Sequence, residues 1–256
     1  MRPEAELGWV IYGSSPTKRR QMRRWEQWLA TEKSLILNNN SDWRKDDELA
    51  GNNKNYEFSA YRQLCDLFSS EGPFIIVNDT LFTNHWRLAW AKLCKRAVQG
   101  MYVDQMVVYG DVRIEGGVVP ERPNTYLASW IFILPNRQAL RQFSLLLDDV
   151  MLQPMPEPSP SYRKYLEEWI NPPVWYKGWH GKRTNQTIHR KIACVMIEHS
   201  VTKKMPDFGL RLQSLGTFNV ILYALIRVVD RLVTRSLAVA TSFRLPVLLK
   251  NNPRGF

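Results

Sequence analysis

Cysteine is scarce in this sequence: Cys65, Cys94 and Cys194 form an odd, scattered set with no Cys-x-x-Cys spacing. Such a set argues against a disulfide framework and for a reducing compartment. Long apolar runs are missing too. The longest charge-free stretch of the C-terminal part, Leu212 to Ile226, has fifteen residues, short of the roughly 20 that cross a bilayer. Met1-Arg2-Pro3-Glu4 carries no apolar run, so no signal peptide is expected and the protein is expected to be cytoplasmic. Gly-x-Ser-x-Gly elbows, P-loops and Gly-x-Gly-x-x-Gly turns are absent. His189, Cys194 and His199 fall five apart, which scatters them around a helix and argues against zinc. No internal repeat is present. Acidic residues are in deficit, 24 against 35 Lys and Arg, for a net charge of +11. That excess calls for an anionic partner: nucleic acid, a nucleotide-bearing substrate or an anionic membrane surface.

What is present fits a folded chain, with 45% hydrophobic and 12% aromatic residues in 256. The segment Phe74-Ile75-Ile76-Val77-Asn78-Asp79-Thr80 is the focus. Its short apolar run after Gly72-Pro73 predicts a buried strand. Asn78 and Asp79 would emerge at the carboxyl end, where α/β sheets bind ligands. There they could hold a sugar hydroxyl or a divalent cation on a diphosphate, or simply begin a turn.

Around that strand the pattern alternates. Leu7–Tyr12 and Ser34–Leu37 read as strands, with a helix between them that starts at Ser15-Pro16. Lys18, Arg19, Arg20, Arg23 and Arg24 crowd the start of that helix against its dipole, as a solvated face or an anion site. Glu57–Phe68, Trp86–Val98, Arg137–Met151, Tyr162–Ile170 and Ile188–Lys203 read as helices, and Gln105–Tyr109 and Tyr126–Leu134 as strands. Alternation of this kind predicts an α/β fold with a mainly parallel sheet flanked by helices. Trp175, Tyr176 and Trp179 sit in a loop and suit sugar faces or an interface equally. In the tail, Arg227, Arg231 and Arg235 recur every four residues. They mark a helix lying on a membrane with its cations toward lipid headgroups, or a packed terminal helix. The expected division is 1–210 for the main domain and 211–256 for a helical C-terminal appendage.

With these landmarks placed, the chain resembles the glycosyltransferases of bacterial surface-polysaccharide assembly, in particular the rhamnan synthesis protein F family. The matching segments are 38–42 (NNNSD), 55–61 (NYEFSAY), 74–82 (FIIVNDTLF), 126–134 (YLASWIFIL), and Arg190-Lys191 leading to Ile197-Glu198-His199. The resemblance implies a GT-A-like fold and a nucleotide-sugar donor. It also implies a glycan or lipid-linked acceptor and a site on the inner face of the cytoplasmic membrane. Asn39, Asp42, Asn55, Asn78, Asp79 and Thr80 would bind the donor. Asp79 would stand where an Asp-x-Asp motif grips a diphosphate through Mg²⁺ or Mn²⁺, with one carboxylate where two are usual. Trp175, Trp179, His189 and Lys191 would serve acceptor or phosphate. Glu198 is the favoured base, with Asp111 and Glu115 as alternatives. Rival readings are an inactive glycosyltransferase-like scaffold and a basic nucleic-acid binder, the latter disfavoured.

Overall fold

β1 (Glu6–Ile11) and β4 (Phe74–Asn78) are buried along their whole length, as strands covered on both sheet faces must be. They pair in parallel at the centre of the sheet, with Val10 opposite Asn78. On the far side of β1 lies β2 (Ser34–Asn38), also parallel, and β3 (Leu49–Ala50) extends that edge. Beyond β4 come β6 (Thr125–Leu134), antiparallel, then β5 (Val107–Ile114) and β7 (Arg211–Ser214). The order is β3-β2-β1-β4-β6-β5-β7. The computed structural model describes residues 4–31, 33–40, 46–52, 55–115, 119, 121–170 and 184–232. Its mainly parallel sheet, flanked by helices and followed by a C-terminal helix, is the GT-A-like α/β fold expected.

The helices divide between two faces. α1 (Pro16–Leu29) begins on Ser15, whose side chain accepts the Lys18 N–H, and has Pro16 at its first turn, where a missing N–H costs nothing. Two further helices, α2 (Glu57–Leu67) and α3 (Leu81–Asn84), bracket β4 in the chain. α1 packs with α4 (Arg87–Gly100) over Trp9, Ile75 and Val77. α2 covers the other face with α5 (Arg137–Leu152) and α7 (Asn185–Lys204), over Val10, Phe74, Ile76 and Phe132. α6 (Pro160–Ile170) packs on α7. A last helix, α8 (residues 220–232), joins the α1 and α4 layer through Leu222, Tyr223 and Ile226.

Three expectations change. β7 pairs with β5, and α8 is clamped to the sheet, so residues 211–232 belong to the main domain and the boundary at 210 does not hold. β5 continues through Gly110 and Asp111 instead of ending at Tyr109. A bulge between Gly110 and Val112 lets it pass, and a Cβ at 110 would run into Leu127. Finally, Arg227 faces inward: its Nη1 lies 2.9 Å from Asp111 Oδ2. The outward face of α8 carries Val220, Ile221, Leu225, Val228 and Leu232 beside Arg231. Val233 and Arg235 lie outside the described residues.

Charge is unevenly placed. α1 holds Lys18, Arg19, Arg20, Arg23 and Arg24 against Glu26 alone, and α4 holds Arg87, Lys92, Lys95 and Arg96 against no acid. One side of the molecule is therefore strongly cationic.

Candidate active site at the carboxyl ends of β1, β2 and β4

From β1 the chain turns through α1 to β2 on one side, then returns through α2 to β4 on the other. The crevice between β1 and β4 is thus a switch point of the sheet, where open α/β sheets take ligands. Asp79, the first residue past β4, closes it. Its N–H donates to Val10 O at 3.1 Å, and its Oδ2 accepts the Tyr12 N–H at 2.9 Å. Lys18 of α1 adds an ion pair, with Nζ 2.7 Å from the same Oδ2. The remaining Lys18 protons go to the carbonyls of Tyr12 and Gly13. Asp79 Oδ1 has no protein partner among the described residues.

A cavity of about 290 Å³ opens here. Asn39, Asn78, Asp79 and Thr80 line it, with Tyr12 just past β1. Tyr56 and Glu57 at the start of α2, and Thr187, Arg190, Lys191 and Cys194 along α7, complete the lining. α7 begins with a capping box between Thr184 and Thr187, and its first turns line the cavity. Tyr56 has φ +57, a conformation that L side chains adopt only when their surroundings impose it. The Arg190 guanidinium lies 5.6 Å from the Tyr56 ring centroid, within cation–π range.

Asn78 shapes the wall from within. Its Oδ1 accepts the Thr80 N–H, and its Nδ2 donates to Tyr61 Oη at 2.8 Å. Tyr61 in turn donates to Ser129 O at 2.6 Å, and the Ser129 N–H donates to Glu198 Oε1 at 2.6 Å. This relay runs from the cavity wall to Glu198. Burial pushes the Glu198 carboxyl up to about 7, against the pull of Arg113 and Lys191, with Glu57 pushing the same way as burial. Cys194 donates its thiol to Glu57 at 3.4 Å.

The expected site residues therefore separate. Asn39, Asn78, Asp79, Thr80 and Lys191 meet at the cavity. Glu198 lies one turn beyond Cys194, off the cavity lining. Asn55 does not line the cavity, and its backbone N–H donates to Ser59 Oγ. His189 is exposed and does not line the cavity. Asp42, Trp175, Tyr176 and Trp179 lie outside the described residues.

Asp111 does not fit the role of base. It is fully buried and bound to Trp130 Nε1, Tyr223 Oη and Arg227. Burial alone would raise its carboxyl, but Arg113 and Arg227 outweigh that and hold it below the ordinary range. Glu115 is likewise occupied, by Arg122, Tyr126 and Tyr165. His199 faces Tyr162, and burial pushes it down to about 4, so it stays neutral at pH 7. Sequence reasoning missed Glu57, Tyr56, Thr187 and Cys194 as site residues, and gave Lys18 and Arg190 only as parts of basic segments. Only the basic run at α1 and the Arg190-Lys191 pair gave a signal for any of them.

A divalent cation held by the protein is a poor fit. The described residues contain no cluster of three or more His, Cys, Asp or Glu side chains. Asp79, the carboxylate at the end of β4, already has an ammonium on one oxygen, which would repel a second cation. Scans of protein-family models, curated proteins and solved structures returned no match for this chain.

Proposed function

We propose that the protein is a glycosyltransferase that takes a nucleotide sugar into the β1–β4 crevice and passes its sugar to a glycan or lipid-linked acceptor. One observation carries this reading. The cavity at the switch point is lined by an oriented carboxylate, Asp79, by two cations, Arg190 and Lys191, and by a second carboxylate, Glu57. A diphosphate needs the cations, and a sugar or ribose hydroxyl can donate to Asp79 Oδ1. The resemblance to the rhamnan synthesis protein F family points the same way.

In the reaction, Glu57 takes the proton from an acceptor hydroxyl as its oxygen attacks the anomeric carbon. The bond from that carbon to the diphosphate oxygen breaks, and the nucleoside diphosphate leaves with both electrons. Arg190 and Lys191 stabilise the charge that grows on the leaving diphosphate, the work a divalent cation would otherwise do. Lys18 holds Asp79 in place through their ion pair and pins the β1 turn through the Tyr12 and Gly13 carbonyls.

The described residues contain no helix long and apolar enough to cross a membrane. α8 supports attachment at a surface instead. Ile221 is 82% exposed and heads an apolar stripe through Leu225, Val228 and Leu232. The layer behind it is the cationic one, complementary to the anionic leaflet on the cytoplasmic side. This arrangement reverses the expected one: apolar side chains meet the lipid and Arg227 braces the helix.

A thermal-shift screen against UDP, dTDP, GDP and their sugars, with and without Mn²⁺, tests the donor reading. A ligand at 100 times its Kd adds about 2.7 kcal/mol. Absence of any shift would overturn it. A steep salt-dependent affinity for RNA or DNA would instead favour a nucleic-acid binder.

A further inference from the structure

We propose that a second cavity, between α1, the turn before α4 and α8, binds the phosphate headgroup of an anionic membrane lipid. The cavity has a volume of about 450 Å³. Arg24 and Arg87 supply its charge, Trp28 and Trp86 its aromatic walls, and Val229 its edge on α8. Neither guanidinium has a carboxylate partner among the described residues. On the same helix, Lys18 pairs with Asp79, and Arg19 with Asp47 and Glu48. No carboxylate lines the cavity. The nearest buried one, Asp230, already accepts from the Trp86 N–H and Trp90 Nε1 and is paired with His85.

Two planar guanidiniums at one opening suit the oxygens of a phosphate, which each can hold with two parallel N–H bonds. The surroundings favour a lipid as the source of that phosphate. Trp28, Trp86 and Val229 offer apolar surface that a free phosphate would not use. Val229 faces the cavity while its neighbours Val228 and Leu225 face out, so an acyl chain leaving the cavity would continue along the exposed stripe of α8. Gln21 borders both this cavity and the pocket that holds Lys18, Asp79 and Thr80. A bound headgroup would therefore lie beside the proposed transfer site. The proposal rests on α8 meeting a membrane, and it adds a specific headgroup site to that contact.

The test is co-sedimentation of the full chain with phosphatidylcholine vesicles, with and without phosphatidic acid. Two variants are compared: Arg24→Gln with Arg87→Gln, and Arg20→Gln with Arg23→Gln, which removes equal charge at exposed positions outside the cavity. Each exposed cation near an anionic surface is worth roughly fivefold, so the control pair loses about 30-fold. The cavity pair is expected to lose about tenfold more, because its charge-assisted hydrogen bonds go as well. Equal losses would overturn the headgroup site while leaving membrane attachment intact. Wild-type protein that ignores phosphatidic acid vesicles would overturn both, and nucleotide-sugar binding would be unaffected. Calorimetry with glycerol 3-phosphate separates the sources. Binding as tight as to vesicles, and lost in the cavity pair, would assign a free phosphate and overturn the lipid. Should Arg87→Gln prevent folding, Arg24→Gln against Arg20→Gln makes the same comparison on exposed side chains.

Discussion

Arg227 of α8 reaches Asp111 in the interior of β5, with Nη1 3.0 and 2.9 Å from the two carboxylate oxygens. Tyr223, one turn earlier, donates to the same carboxylate, and Asp230 at the other end of α8 is paired with His85. Two buried carboxylates thus tie α8 down, Asp111 to the sheet and Asp230 to the start of α4. Asp111→Asn keeps the shape but leaves Arg113 and Arg227 uncompensated, an effect worth about 3–5 kcal/mol for a buried pair. Urea unfolding measures it. A loss below about 1 kcal/mol, the level of a surface ion pair, would show that the Asp111–Arg227 pair does little to hold α8.

Asp79 is partly exposed and belongs to the ligand more than to the core. Asp79→Asn should leave thermal stability close to wild type, since the Tyr12 N–H can still donate to the side-chain oxygen. Lys18 loses its counter-charge, and the donor loses a charged acceptor. Transfer should fall by about 10² or more, on the scale of losing one strong transition-state contact. Wild-type turnover in this variant would remove Asp79 from the site.

How much of this was readable in advance depends on what the sequence encodes locally. Phe74 to Val77 is apolar and bounded by turn residues, so the central strand and Asp79 at its end were legible. α1 and α5 were legible by period, because each has one buried face, whereas α7 is buried continuously from Ala193 to Ile197. β7 was not: Arg211-Leu212-Gln213-Ser214 has no apolar run, and its strand state comes from pairing with β5. Glu57 was hidden because only the tertiary fold brings the first turn of α2 against α7. Asp111 misled for the opposite reason. A carboxylate beside a glycine reads as a turn or a catalytic acid, and nothing local announces that Arg227, over a hundred residues on, neutralises it. Arg227 and Arg231 both lie on α8, but their spacing does not tell which face is buried: Arg227 turns in to Asp111 and Arg231 is exposed.

Glu198 makes stability depend on pH. Its carboxyl is raised to about 7 from an ordinary 4.5, so the folded chain keeps a proton that the unfolded chain releases between those values. Stability from this group is therefore full below pH 4.5 and is lost as pH rises through 7. The loss amounts to about 3 kcal/mol at 1.36 per unit. Glu198→Gln carries no charge and can still accept the Ser129 N–H. The stability difference, variant minus wild type, should be near zero at pH 4 and grow to about 3 kcal/mol in the variant's favour by pH 8. A flat difference from chemical denaturation across that range would mean that Glu198 titrates normally.

The last prediction separates the two carboxylates that compete for the role of base. Glu57 lines the cavity, whereas Glu198 reaches it only through the relay of Ser129, Tyr61 and Asn78. A base must come within hydrogen-bond reach of the hydroxyl it deprotonates, or act through one water. Glu57 meets that condition for an acceptor entering beside Arg190. Glu57→Gln should lower kcat by about 10²–10⁴ with little change in donor affinity, the pattern of a group that works only in the transition state. Glu198→Gln should keep most of its kcat, since it alters the protonation of a buried group behind the wall. Activity measured with the donor saturating, together with donor affinity by calorimetry, gives both quantities. If Glu198→Gln abolishes turnover and Glu57→Gln does not, Glu57 is not the base and the assignment fails.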